Sequence, residues 1–259
     1  MLAGVRRIPL LIVLLFAADI TLALIPVIDF EAGHPFQRVS NLFNLDTEST
    51  VPTWFSSMQW FCAGAMFALF AFNALRSRMR GAVSIAALAL ACIVFSIDEI
   101  AEIHERLGSA LDAFMDNGSR AGTALWSTGL WPFLIGIPAI AMLAIAVRGT
   151  RHIFLRRAPR ALVLLIVGFI VMFTGALGVE LASNLIDASA PHGGWFLTQV
   201  VTEEFMEMLG VTFIAWSAAT LLQAYEFELR MPAIPPQQRT EVRPRPAAAA
   251  CASVRSAGS

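Results

Sequence analysis

Four carboxylates and an imidazole, Asp98, Glu99, Glu102, His104 and Glu105, fall within eight residues of the segment "FSIDEIAEIHERLG". Further on, Glu180 interrupts an apolar run, and Glu203, Glu204 and Glu207 share "VTEEFMEMLG". Several carboxylates with one or two imidazoles make a hard, oxygen-rich ligand set. Such a set suits Mn, Fe(II), Mg or Ca, and Zn where histidine joins. The candidate metal ligands are Asp98, Glu102, His104, Glu105, Glu180, Glu203 and Glu207. A divalent ion held there, Fe, Mn or Zn, would lower the pKa of a bound water, with a second carboxylate as base. Carboxylate-bridged di-metal bundles also use Glu-x-x-His pairs. Here the residue three before His104 is Ala101, so that signature is missing.

Spacing supports a shared direction. At about 100° per residue, Asp98, Glu102 and Glu105 form one helical stripe, and so do Glu180, Asn184 and Asp187. Gln199, Glu203, Glu207, Gly210 and Ser217 form a third. Ile93, Ile100, Leu107 and Leu111 oppose the first stripe and form a candidate lipid face. His104 stands about 100° from Glu105 and reaches the same place only from its edge. Glu99 and Glu204 are flank positions. For Glu99, Glu105, Asp187 and Glu204, plain solvation at a helix end competes with a role in a site.

The elements that must carry these residues are membrane helices. Hydrophobic residues make up 57% of 259 and charged residues 14%, against about half and a quarter in soluble domains. Apolar runs near residues 8–28, 53–75, 82–101, 129–148, 161–181 and 203–223 are each long enough to cross a bilayer. The first is read as a retained span rather than a signal peptide, because no small-x-small cleavage site follows it. The fold expected is an all-α bundle of six transmembrane helices over residues 1–230. A disordered, Pro-, Ala- and Arg-rich tail follows at 231–259.

Arginines sort the gaps. Those before the first span, in the second-to-third and fourth-to-fifth gaps and after the sixth hold fifteen of the eighteen. By the positive-inside rule both termini are cytoplasmic, in a bacterial inner membrane. Trp54, Trp60, Trp126, Trp131 and Trp195 fall at the opposite interface. Counting about 20 residues from the arginine ends brings Asp98–Glu102, Glu180 and Glu203 to one depth. Glu207 lies one turn deeper, roughly 6 Å. A carboxylate in hydrocarbon costs about 2.5–3.5 kcal/mol, so it needs a partner. No Lys exists and no Arg sits at that depth. The partner is a metal ion, a shared proton or a cationic ligand.

Other features bound the chemistry. The absence of Lys excludes Schiff-base catalysis, and one Tyr leaves little room for tyrosyl chemistry. Cys62, Cys92 and Cys251 form no close pair, so no disulfide framework or thiolate zinc site is expected. A net charge of −1 argues against nucleic acid. Asp19, mid-way along the first span, bonds to Thr21-type hydroxyls across helices or serves a proton relay. His192 in the loop before the sixth span is a candidate further imidazole. The long loop holding Asp29, Glu31, Asp46 and Glu48 is a candidate lid.

The segments "LDTESTVPTWFSS" at 45–57, "FSIDEIAEIHE" at 95–105 and "VTEEFMEMLG" at 201–210 resemble those of a family of bacterial multi-pass membrane proteins of unknown function. The resemblance implies a six-helix membrane protein and no reaction. Three classes follow from the residues. The first is a metal-binding membrane protein, in its sharpest form a metal-dependent enzyme acting on a lipid or amphipathic small molecule. The second is a proton- or cation-coupled transporter, although no inverted repeat is visible. The third is a structural or sensory subunit. Membrane lipid is the expected partner, with the tail a candidate site for a protein.

Overall fold

A computed structural model describes residues 8–47, 49–116, 130–185 and 194–225. Among them every regular element is helical: α1 Leu10–Glu31, α2 Gln37–Leu42, α3 Val51–Arg76, α4 Ala82–Ala101, α5 Ile103–Asp116, α6 Ile137–Arg157, α7 Pro159–Phe173, α8 Glu180–Ser183 and α9 Gly194–Ala224. A π-helical turn, Pro132–Gly136, opens α6, and a second, Thr174–Val179, joins α7 to α8. Six helical stretches are long and apolar enough to cross a membrane: α1, α3, α4, Pro132–Arg157, Pro159–Ser183 and α9. The chain is a multi-pass membrane protein. Its fourth and sixth spans are longer than hydropathy alone suggests, because polar turns of the same helices continue beyond the apolar run.

Apolar side chains are exposed where lipid would lie. On α4 these are Val83, Leu90, Val94, Ile97 and Ile100. Ile93, expected on that face, instead lies beside Gly64 of α3.

Between membrane helices the hydrophobic effect does little, so close backbone approach and polar bonds do the joining. α3 packs extensively on α4, and α7 on α9, with α9 also touching α1 and α3. At the α7–α9 crossing, Gly168 and Gly210 meet so closely that a Cβ on either would stand 2.7 Å from the carbonyl oxygen of the other. Ser217 Oγ donates to the Ala161 carbonyl across the same pair at 2.7 Å. At the arginine-rich end Tyr225 donates its hydroxyl proton to the Ile153 carbonyl, and the Arg157 guanidinium lies 5.1 Å from its ring centre.

The second π turn sets the direction of Glu180. The buried side of α7 runs through Ala161, Leu165, Gly168 and Met172. Continued as α-helix, Glu180 would stand about 80° off the Met172 direction. One extra residue in the π turn rotates it back by about 100°. Glu180 thereby returns to the side of α7 that faces α9.

Candidate functional site

Asp98, Glu99, His104, Glu105, Glu180, Glu203, Glu204 and Glu207 line one cavity of about 340 Å³ at the acidic end of the bundle. Carboxylates from α4, α5, α8 and α9, far apart in sequence, therefore face a common space. Asp46, from the loop before α3, adds another. The walls include Trp60, Phe95, Met172, Phe173, Ala176 and Leu177, so the cavity is acidic and apolar at once. No arginine lines it among the described residues.

Glu102 departs from the expected set. The helix breaks there, at a backbone φ of 52°. A left-handed non-glycine residue costs about 1–2 kcal/mol. The break ends the Asp98–Glu102–Glu105 stripe: Glu102 lies off the cavity lining and its Oε2 accepts from Arg106 Nε at 3.3 Å. It also changes the direction of the chain between α4 and α5. Asp98 Oδ1 accepts the His104 backbone N–H at 3.0 Å, and Oδ2 meets His104 Nδ1 at 2.8 Å. His104, expected only at the edge, is thus clamped by Asp98 on the cavity wall. Burial opposes its charged form. The hydrogen bond and charge of Asp98, aided by Glu105 and Glu180, outweigh that and hold its pKa above the usual value.

Trp131 is a site residue that sequence reasoning assigned to the interfacial belt. Its Nε1–H donates to Glu180 Oε1 at 2.8 Å, and its ring centre lies 4.8 Å from that of His104. An unbroken contact chain, Asp98–His104–Trp131–Glu180, therefore links α4, α5, the start of the fourth span and α8. Trp60 likewise leaves the belt: it is buried, with its ring centre 4.9 Å from that of Phe95. Trp54 and Trp195 are exposed, as a belt requires.

The stripe on α9 divides. Gln199, Glu203 and Glu207 face the cavity, whereas Gly210 and Ser217 pack on α7. Gly175 in the second π turn sits under this region: a Cβ there would lie 2.8 Å from the Glu203 carbonyl and 3.2 Å from Glu207 Cγ. The turn must hold glycine for α9 to bring both acids so close. Of the expected lid, Leu45 and Asp46 reach the cavity, while His34 pairs with Asp29 at 2.7 Å. Cys62 and Cys92 are free thiols. His192, Asp187, Trp126, Glu48, Cys251 and the tail at 231–259 lie outside the described residues.

Asp19 is fully buried, and one of its partners is a threonine hydroxyl across helices, as expected, though not that of Thr21. Thr21 bonds to its own helix at Ala17. Asp19 Oδ1 accepts from Gln59 Nε2 on α3, and Oδ2 accepts from Thr212 Oγ1 on α9, each at 2.8 Å.

The cavity acids are spread around its wall. Among the described residues, no three His, Cys, Asp or Glu side chains stand grouped closely enough to hold a metal ion. What the arrangement offers is a negative, partly apolar chamber with an oriented imidazole. No curated protein and no solved structure matches the chain. A family model described as "Domain of unknown function (DUF8692)" matches residues 8–222, and the chain belongs to that family.

Proposed function

We propose that this membrane protein binds a cation in the acid-lined cavity. The observation that carries the reading is the convergence of carboxylates from four helices on one space. Like charges in a low-dielectric setting repel, and a bound cation relieves that repulsion. The apolar wall of Trp60, Phe95, Met172 and Phe173 suits the hydrocarbon part of a lipid or amphipathic small molecule. A cationic headgroup would then sit among the acids, with aromatic faces adding cation–π attraction.

The same chamber would take a divalent metal such as Fe, Mn or Zn. Asp98, His104, Glu105, Glu180, Glu203 and Glu207 would be its ligands once drawn inward. The Asp98 contact at Nδ1 leaves the other ring nitrogen of His104 for a ligand or proton, as metal-binding imidazoles require. A metal-dependent reaction on an amphipathic substrate is the enzyme form of this reading. Coupled transport of the cation is the alternative, supported by the second buried carboxyl, Asp19, deeper in the bundle.

The test is calorimetric titration of detergent-purified protein with Mn²⁺, Zn²⁺ and a single-chain quaternary ammonium amphiphile, with elemental analysis of the protein as isolated. Saturable binding of at least one probe, lost in Glu203→Gln and Glu207→Gln, is expected. If no probe binds the wild-type protein and no stoichiometric metal is found, the cavity is not a cation site.

A further inference from the structure

Asp19, Gln59 and Thr212 form a closed ring of hydrogen bonds joining α1, α3 and α9. Gln59 Nε2 donates to Asp19 Oδ1 and to Thr212 Oγ1, and Thr212 donates to Asp19 Oδ2, all at 2.8 Å. All three residues are buried, Asp19 and Thr212 completely. In this arrangement Asp19 only accepts, which is what a carboxylate does. One atom is left over: Gln59 Oε1 is buried with no partner.

The ring has a second solution. A proton on Asp19 Oδ2 is donated to Thr212 Oγ1, while the threonine hydrogen turns to an acceptor on its own helix, as threonine hydroxyls in helices do. Gln59 still donates to Asp19 Oδ1 and to Thr212 Oγ1, so each of the three contacts keeps one hydrogen and no heavy-atom distance changes. In either state Gln59 Oε1 is left over as an acceptor. A water molecule can donate to it.

A second orphan marks a way in. Ser56 Oγ is also buried without a partner. It lies three residues from Gln59 on α3, on the same side of the helix and about 4.5 Å nearer the acidic end. On α9, Glu207 lies five residues before Thr212, about 7.5 Å nearer the same end. Ser56 on α3 and Glu207 on α9 therefore lie at heights between the ring and the acidic end. Toward the arginine-rich end the packed side chains are mostly apolar: Ile12, Phe67, Phe70, Ile214 and Leu221 are all fully buried or nearly so, and the buried Ser217 hydroxyl is held by the Ala161 carbonyl. No charged group other than Asp19 joins the ring. The other titratable groups on the helices around this level are Cys62 on α3, Cys92 on α4 and Glu207 on α9.

We propose that Asp19, Gln59 and Thr212 are a two-state proton site, reached from the acidic cavity through water held at Ser56 and Gln59 and sealed toward the arginine-rich end. Asp19 Oδ2 takes a proton relayed through that water as the Thr212 hydroxyl hydrogen turns away, and returns it by the reverse step; no other bond of the ring is lost. The site stands on its own geometry, whatever the cavity binds.

The experiment is infrared difference spectroscopy of the full chain in lipid nanodiscs, with ¹³C-labelled aspartate, across the neutral pH range and after transfer to D₂O. Expected is a protonated-carboxyl band that appears and vanishes with pH. It should shift in Thr212→Ser, which keeps the hydroxyl, and disappear in Asp19→Asn. Deuterium exchange of that band should slow by about tenfold in Ser56→Val, which removes one bridging hydrogen bond to water. A Thr212-sensitive carboxyl band fixed in one form at every pH, or none at all, overturns the proton site. Exchange unaltered by Ser56→Val overturns the route.

Discussion

The glycine at position 210 is expected to be worth about 2 kcal/mol to the bundle, and the figure follows from the α7–α9 crossing. A Cβ at Gly210 would stand 2.6 Å from both Met172 N and Met172 Cβ, where ordinary contact begins at 3.4 Å. Two of the obstructing atoms, Met172 N and the Gly168 carbonyl oxygen, are backbone and do not rotate away. The helices must part by about 0.8 Å, the difference between 3.4 and 2.6 Å. A gap of that size forfeits about a quarter to a half of each dispersion contact of 0.1–0.2 kcal/mol. Over roughly 40 atom pairs, the number one buried side chain makes, the loss is about 2 kcal/mol. Overpacked cores lose a similar 1–3 kcal/mol. Gly210→Ala should therefore lower the midpoint of thermal unfolding by about 4–8 °C, followed by intrinsic fluorescence in detergent. Gly178→Ala is the control, because its nearest neighbour, Thr174 Cγ2, lies at an ordinary 3.4 Å. Equal midpoints for the two variants would refute the close crossing.

Three further outcomes follow. Glu102→Gly should raise stability by about 0.5–1 kcal/mol, since glycine adopts positive φ freely and the ion pair it removes is long, at 3.3 Å, with its Arg106 side exposed; denaturant titration checks this, and cation binding should not change. Trp131→Phe keeps a ring against His104 but loses the donor to Glu180, and should weaken cation binding severalfold in the same calorimetric assay, about 1 kcal/mol for one hydrogen bond to a carboxylate. His104 has its pKa raised in the folded protein, so its charged pair with Asp98 contributes stability that is fully present below the unfolded value of about 6.5 and is lost as pH rises through the folded value. Thermal midpoints measured across that interval should fall with rising pH in the wild-type protein and lose that component in His104→Gln.

Much of the fold was legible because a membrane imposes long apolar runs, and six such runs are the six spans. That Asp98, Glu180, Glu203 and Glu207 line one cavity was legible for a related reason. The arginine-rich gaps define a common level, and residues counted from it reach one depth whatever the tertiary details. What escaped were departures from regular helix. Periodicity assumes about 100° per residue, so it carries Glu102 into the site and leaves His104 at its edge. A single left-handed residue at Glu102 reverses both assignments. No glycine or asparagine marks that turn, so only the incompatible directions of Asp98 and His104 could have suggested it. The π turn at Thr174–Val179 is equally silent, although its Gly175 leaves the close approach to Glu203 and Glu207 sterically open.

The two departures have a common consequence. Each lies at the end of a membrane helix, beside the cavity, and each redirects a polar side chain. Regular helices continued through both points would leave Glu180 off the α9 side and His104 at the edge. The left-handed residue costs energy that nothing in the packing of α4 on α3 requires, since that interface lies in the preceding turns. Such irregular backbone persists when surrounding contacts over-determine it and gathers where side chains must be aimed. Here those contacts are the Asp98 clamp on His104 and the Trp131 bond to Glu180. Both contact residues lie on the cavity wall, so the strain is spent on the direction of the imidazole and carboxylate rather than on joining the helices.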